Sequence, residues 1–210
     1  MTIHAPLFIV LLPVSAALLC MLFSRIQKNL GSWIVIASIV GAFLSAVTSL
    51  QRVIADGGKP IHYWMGNWQP PLGIEFVIDP ISGALAVLIT FIALLGSLYS
   101  LPFVKEEGWL HIGGYYTLYG LMTVGMCGMV ITGDVFNLYV FLEVMSLSGY
   151  GLIAIGGKKS MLAAFRYLLI GTIGASLYLL GVGYMCALTG TLNMADMAVR
   201  AAEFLHYPLF

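Results

Sequence analysis

The chain has 210 residues, 60% of them hydrophobic and only 9% charged, and its nine basic and nine acidic side chains cancel to a net charge of zero. A soluble domain carries roughly a quarter charged residues, so this composition excludes a water-soluble surface, and the neutral balance excludes the basic footprint of a nucleic-acid binder. Abundant Gly and Met with 12% aromatics instead fit helices packed in lipid, and the fold class read here is all-α, a polytopic transmembrane helix bundle.

A helix needs about 20 apolar residues to cross the hydrocarbon core, and six segments meet that length. The first covers residues 5–23 and carries Pro6 and Pro13, which membrane helices tolerate when neighbours satisfy the freed carbonyls. Thr2, Ile3 and His4 supply no basic region and no small-residue cleavage site follows, so the segment reads as a retained helix rather than a signal peptide. The second covers 31–50, and these two helices form a first unit, residues 1–50.

Residues 51–78 are polar and rich in turn formers, with Gly57, Gly58, Pro60, Pro70 and Pro71. His62, Tyr63, Trp64 and Trp68 interleave with them, which predicts a short extracytoplasmic hairpin whose tryptophans sit at headgroup level. The third helix starts sharply at Asp79-Pro80, with Asp as cap and Pro at the first helical position, and runs to 104. Lys105, Glu106 and Glu107 form a charged turn before the fourth helix at 112–131. Thr132-Gly133-Asp134 is a tight turn with a capping aspartate, the fifth helix ends at 155, and Gly156-Gly157-Lys158-Lys159 closes it. The sixth covers 161–188. Residues 79–190 thus form a four-helix unit, and 191–210 a tail, amphipathic at best, lying at or near the surface.

Cys20, Cys127 and Cys186 lie inside apolar runs without a CxxC pair or adjacent histidine, and read as packing residues. No phosphate loop, dinucleotide fingerprint or HExxH zinc helix occurs, and no cysteine cluster or deep histidine could hold iron–sulfur or haem. The expectation is no cofactor, no metal and no self-contained active site. Basic residues set the orientation: Arg25, Lys28, Lys105, Lys158 and Lys159 fall on one side, Arg52, Lys59 and Arg200 on the other. That bias places the first set in the cytoplasm of a cell membrane and the N-terminus outside.

Two ionisable side chains remain inside the spans. Glu143 lies about 14 Å along the fifth helix and Arg166 about 8 Å into the sixth, at the helical rise. A charge at the bilayer centre costs at least about 2.5–3.5 kcal/mol. A glutamate can escape that cost by holding a proton, which also lets it relay one; an arginine stays charged. Glu143 is therefore the candidate proton carrier and Arg166 a fixed charge that tunes it. Plainer readings stand beside these: Glu143 as a hydrogen-bonded structural carboxyl, and Arg166 snorkelling to headgroups. Asp79 and Asp134 read as caps, with Asp134 also a candidate proton entrance.

At these residues the sequence closely resembles a known family. The stretches are Asp79-Pro80-Ile81-Ser82-Gly83, Thr132-Gly133-Asp134-Val135-Phe136-Asn137-Leu138 leading to Phe141-Leu142-Glu143, Ser148-Gly149-Tyr150-Gly151-Leu152, Ala163-Ala164-Phe165-Arg166-Tyr167 and Thr189-Gly190-Thr191-Leu192-Asn193-Met194-Ala195-Asp196. Together they resemble the antiporter-like membrane subunits: the D-type component of Mrp cation/proton antiporters, and the proton-pumping components of complex I (NADH-quinone oxidoreductase) and membrane-bound hydrogenases. The resemblance implies a proton path through Glu143, translocation of H+ with Na+ or K+ as candidate cations, and other membrane subunits as partners. It also implies that the chain corresponds to the N-terminal six helices of a subunit about fourteen helices long, built from inverted repeats. Relatives usually carry lysine where this chain has Arg166, so a titrating role does not transfer to that position. A non-transporting scaffold remains the alternative from a different class.

Overall fold

The computed structural model describes residues 4–27, 29–70, 73–104 and 109–204. The charged turn expected at Lys105–Glu107, together with Lys28, Pro71 and His206, lies outside them. Six helices are long and apolar enough to cross a membrane. They are α1 (Ala5–Ile26), α2 (Leu30–Ala55), α3 (Pro80–Val104), α4 (Trp109–Ile131), α5 (Val135–Ala154) and α6 (Lys158–Thr189). A shorter α7 (Met194–Phe204) follows, and β1 (Ile61–Trp64) and β2 (Glu75–Ile78) form an antiparallel hairpin between α2 and α3. The bundle expected from composition is the one observed.

The expected helix ends hold within a turn except at the end of α2. That helix runs past Leu50 to Ala55, because Arg52 in its last turn suits the negative end of the helix dipole. At α6 the boundary residues change sides. Lys158 and Lys159, expected to close α5, instead begin α6; Gly157, at φ 102°, makes the break between the two helices. At 32 residues, α6 extends about 48 Å at the helical rise, well beyond a hydrocarbon core of about 30 Å.

The start of α3 shows a reciprocal cap. Ser82 N–H donates to Asp79 Oδ1 at 2.7 Å, and Asp79 N–H donates to Ser82 Oγ at 2.8 Å. Two orphan amides are thereby satisfied at the first turn.

Helices α1–α4 hold the core. One cluster joins Ile9, Val10, Ala46, Val53, Ala86, Val124, Cys127 and Ile131 with Phe76 and Ile78 of the hairpin. A second joins Ala16, Cys20, Val35, Ile36, Ile39, Ala93, Ile112 and Tyr116. Cys20 and Cys127 are buried free thiols, as a packing role requires. Polar groups between these helices bond largely to backbone: Tyr116 OH donates to the Ser97 carbonyl at 3.2 Å and Tyr119 OH to the Ala93 carbonyl at 2.9 Å.

The hairpin obeys the period-two rule of strands. Tyr63 pairs with Phe76 and Ile61 with Ile78, and this apolar face packs on the first cluster. Trp64 pairs with Glu75 on the opposite face, which His62 shares. His4 Nδ1, at the start of α1, lies 3.0 Å from Tyr63 OH and ties the hairpin to the first helix.

Candidate functional site

Glu143 occupies the middle of α5, and the packing of α4 sets its direction. Phe141 and Met145 on α5 press against Gly128 and Gly125 of α4, where an added Cβ at Gly128 would sit inside the Phe141 ring. Residue 143 lies between these two in sequence, and two residues along a helix turn a side chain by about 200°. Glu143 therefore faces away from α4. It is half-buried, and it shares its face with Phe136, Val140 and Leu147, all exposed.

Two tyrosines flank it on the α6 side. Tyr139 stacks on Tyr178 with ring centroids 6.3 Å apart, and Tyr178 OH donates to the Val135 carbonyl at 3.1 Å. Further along, buried Tyr150 lies against Gly171, which leaves no room for a Cβ, and meets Tyr167 edge-on at 4.7 Å. These contacts put Tyr139 opposite Tyr178 and Tyr150 opposite Gly171, so Glu143 stands near Ala175. Arg166 is nine residues from Ala175, about 13 Å along α6 at the helical rise. The side chain of Arg166 is exposed, and it forms no ion pair with Glu143. The register of α6 on α5, set by the Tyr139–Tyr178 and Tyr150–Gly171 contacts, holds the two apart. Among the described residues Glu143 has no hydrogen-bond or ion-pair partner.

Asp134 lies at the hairpin end of α5, buried at 8% exposure. Its Oδ1 accepts from Asn137 N–H at 2.7 Å, the expected cap. The connector around it is one half of a paired arrangement. Thr132 Oγ1 accepts from Asp134 N–H at 3.3 Å, and Thr191 Oγ1 accepts from Asn193 N–H at 3.3 Å. Asn193 caps α7 through Asp196 N–H at 3.1 Å, as Asp134 caps α5. The two connectors then pair antiparallel: Val135 N–H donates to the Leu192 carbonyl and Met194 N–H to the Gly133 carbonyl, both at 2.9 Å. Thr132-Gly133-Asp134 and Thr191-Leu192-Asn193 thus sit about a local two-fold.

Glu75 binds this pair to the hairpin, and sequence reasoning missed it. Its backbone carbonyl accepts from Gly133 N–H at 2.9 Å. Its carboxylate, 5% exposed, accepts from Asn193 Nδ2 at 2.7 Å on Oε2 and from Trp64 Nε1 at 3.1 Å on Oε1, with His62 Nδ1 2.6 Å from Oε1. Three N–H groups converge on an acceptor-only carboxylate. The available signal was a carboxylate in the otherwise apolar strand EFVI, at the level of the His-x-Trp alternation of β1. No group of three or more His, Cys, Asp or Glu side chains among the described residues could hold a metal.

Comparison with known proteins places this geometry. The family described as "NADH:quinone oxidoreductase/Mrp antiporter, TM" matches residues 132–207. The N component of NADH-quinone oxidoreductase from Desulforudis audaxviator is 43% identical over 209 residues, covering 100% of this chain and 42% of that protein. The D component of the Na(+)/H(+) antiporter from Bacillus subtilis is 32% identical over 195 residues, covering 92% of this chain and 38% of that protein. In the solved structure of the membrane-bound sulfane sulfur reductase, an archaeal respiratory membrane complex, one chain is 31% identical and superposes with a TM-score of 0.87, covering 95% of this chain and 40% of that one. The chain spans about two fifths of the length of these relatives.

Proposed function

Since the chain belongs to the NADH:quinone oxidoreductase/Mrp antiporter family of membrane subunits, we propose that it forms the N-terminal part of a subunit that translocates protons, with Na+ or K+ as the exchanged ion, inside a multi-subunit membrane complex. Glu143 is its proton carrier. The observation that carries this reading is the absence of any partner for Glu143 among the described residues, midway along a membrane span. A structural carboxyl is held by donors, as Glu75 is by three. A carboxyl that takes up and releases a proton must be tolerated in both states, and one free of fixed donors meets that need.

Arg166 acts on it at a distance. A permanent cation about 13 Å away along the helix at the helical rise is screened less across lipid than across water. Asp134 lies at the hairpin end of the path and is its entrance. The bias of basic residues puts that end outside and Arg25, Lys158 and Lys159 in the cytoplasm of a cell membrane. No cofactor enters this reaction.

The test uses the assembled complex reconstituted in vesicles, with Glu143→Gln and a fluorescent reporter of the pH gradient. Exchange falls to the protein-free background while the complex stays assembled on a native gel. Unchanged exchange sinks the role, and unchanged exchange with weakened assembly would make the chain a scaffold. A second reading, a redox-driven proton pump, is favoured by the higher identity to the quinone oxidoreductase component, 43% against 32%. It predicts that NADH oxidation by quinone builds a proton gradient that Glu143→Gln abolishes, with no requirement for Na+ or K+.

A further inference from the structure

Both connectors that carry the caps of α5 and α7 are fastened to one buried carboxylate. Glu75 reaches the α4–α5 connector through its backbone carbonyl and the α6–α7 connector through its side chain. The connectors are in turn paired to each other. On the other side Glu75 meets His62, whose side chain is 47% exposed while that of Glu75 is 7% exposed. A buried group that joins three segments is therefore met from the solvent side by two exposed rings, Trp64 and His62, and of the two only the imidazole can change charge. Histidine is the side chain whose charge changes between about pH 5 and 8.

We propose that His62, Glu75 and Asn193 form a proton-sensitive clasp that locks the hairpin onto both helix connectors, with His62 as its sensor and Glu75 as the positioning residue. Protonated, His62 makes an ion pair with Glu75. Neutral, it still donates Nδ1–H to the carboxylate but brings no positive charge, which makes this the weaker of the two contacts. Trp64 and Asn193 carry no titratable group, so they hold Glu75 equally in both states. Four acidic or basic side chains of the neighbouring elements are engaged elsewhere. Asp134 is turned to Asn137 N–H, Asp79 to Ser82 N–H and Asp196 to Arg200, which also donates to the Thr189 carbonyl. His4, from α1, bonds Tyr63 on the opposite face of β1. Arg52 and Asp56 belong to the end of α2, and Lys59 to the loop that follows.

The clasp stands without the transport reading; its consequence, that the pH on the hairpin side governs how firmly the start of α5 and Asp134 are held, rests on it. The test reads hydrogen exchange in the full chain in lipid nanodiscs, for residues 132–135 and 191–194, at pH 6 and pH 8, corrected for intrinsic exchange chemistry. Protection of both connectors falls about five- to tenfold on going to pH 8, as the contact loses the imidazolium charge and keeps only a neutral donor on the carboxylate. His62→Gln, at a half-exposed position, folds and makes protection independent of pH. His4→Gln keeps the wild-type response. Glu75→Gln lowers protection at both pH values and removes the response. Wild-type protection that does not change with pH, a response that survives His62→Gln, or one that His4→Gln abolishes overturns the proposal. In the assembled complex, the pH profile of exchange shifts in His62→Gln while the Glu143→Gln defect is unaffected by it, which separates failure of the clasp from failure of the carrier.

Discussion

Helices α1–α4 and helices α5–α6 are alike in composition and unlike in company. In the most apolar stretch of each, 39, 39, 28 and 44% of the residues of α1, α2, α3 and α4 are buried, against 17 and 11% in α5 and α6. The first four bury one another around two clusters, and their hydroxyls bond largely to backbone carbonyls. The last two touch the core mainly through the α4–α5 face, and they carry Glu143 and Arg166. Rigidity and ionisable groups have been kept apart. The proton carrier proposed for α5 would be poorly served by a close-packed surround, which penalises both misfit and unpaired charge.

The largest expected effect comes from an isoleucine in each region. Ile39→Ala opens a cavity in the second cluster and costs about 2–5 kcal/mol in chemical unfolding of the chain in detergent. Ile173→Ala, 64% exposed on α6, stays within about 0.5 kcal/mol in the same assay. Equal losses at both sites would break the contrast. A loss at Ile173 that appears only in the assembled complex would sharpen it, by showing that neighbouring protein covers this face.

Glycines give the next contrast. Gly128→Val drives methyl groups into the Phe141 ring and destabilises by about 1–3 kcal/mol. At Gly174 of α6 nothing lies within 4 Å of an added Cβ, so Gly174→Ala gains about 0.5–1 kcal/mol of helix propensity. Thermal unfolding followed by circular dichroism checks both signs.

Smaller still is the cap of α3. Asp79→Ala loses about 1 kcal/mol, within the usual range for a cap. Its pH dependence has a definite sign. The Ser82 backbone N–H holds the Asp79 carboxyl below the usual carboxylate range. The contribution is complete above the unfolded value, about 3.9, and fades as the pH falls through the folded one. Wild type and Asp79→Ala should therefore differ at pH 6 and converge in acid. Least affected is Arg166→Gln, within about 0.5 kcal/mol, because the side chain is exposed and unpaired with Glu143; a loss of several kcal/mol would mean an ion pair within the fold.

Much of this was legible in advance. Asp79-Pro80 gave the start of α3 and Asp134 the cap of α5, because capping and proline constraints act within a few residues of chain. Apolar run length gave the six spans for the same reason. The full reach of α6 was hidden, because Lys158 and Lys159 look like loop residues until Gly157 is seen to make the break. Glu143 stood out as a charge in an apolar run, but its direction depended on Gly128 and Phe141 meeting across two helices.

Sequence alone thus determined that this is a membrane bundle, where its helices begin, and which ionisable side chains fall inside its spans, since those follow from composition, local caps and apolar run length. Only the tertiary structure decided that Glu143 and Arg166 stand apart and that Glu75, His62 and Asn193 stand together. Helix register and strand pairing are set by contacts between residues far apart in the chain; Glu75 and Asn193 are separated by 118 positions, and no local rule connects them.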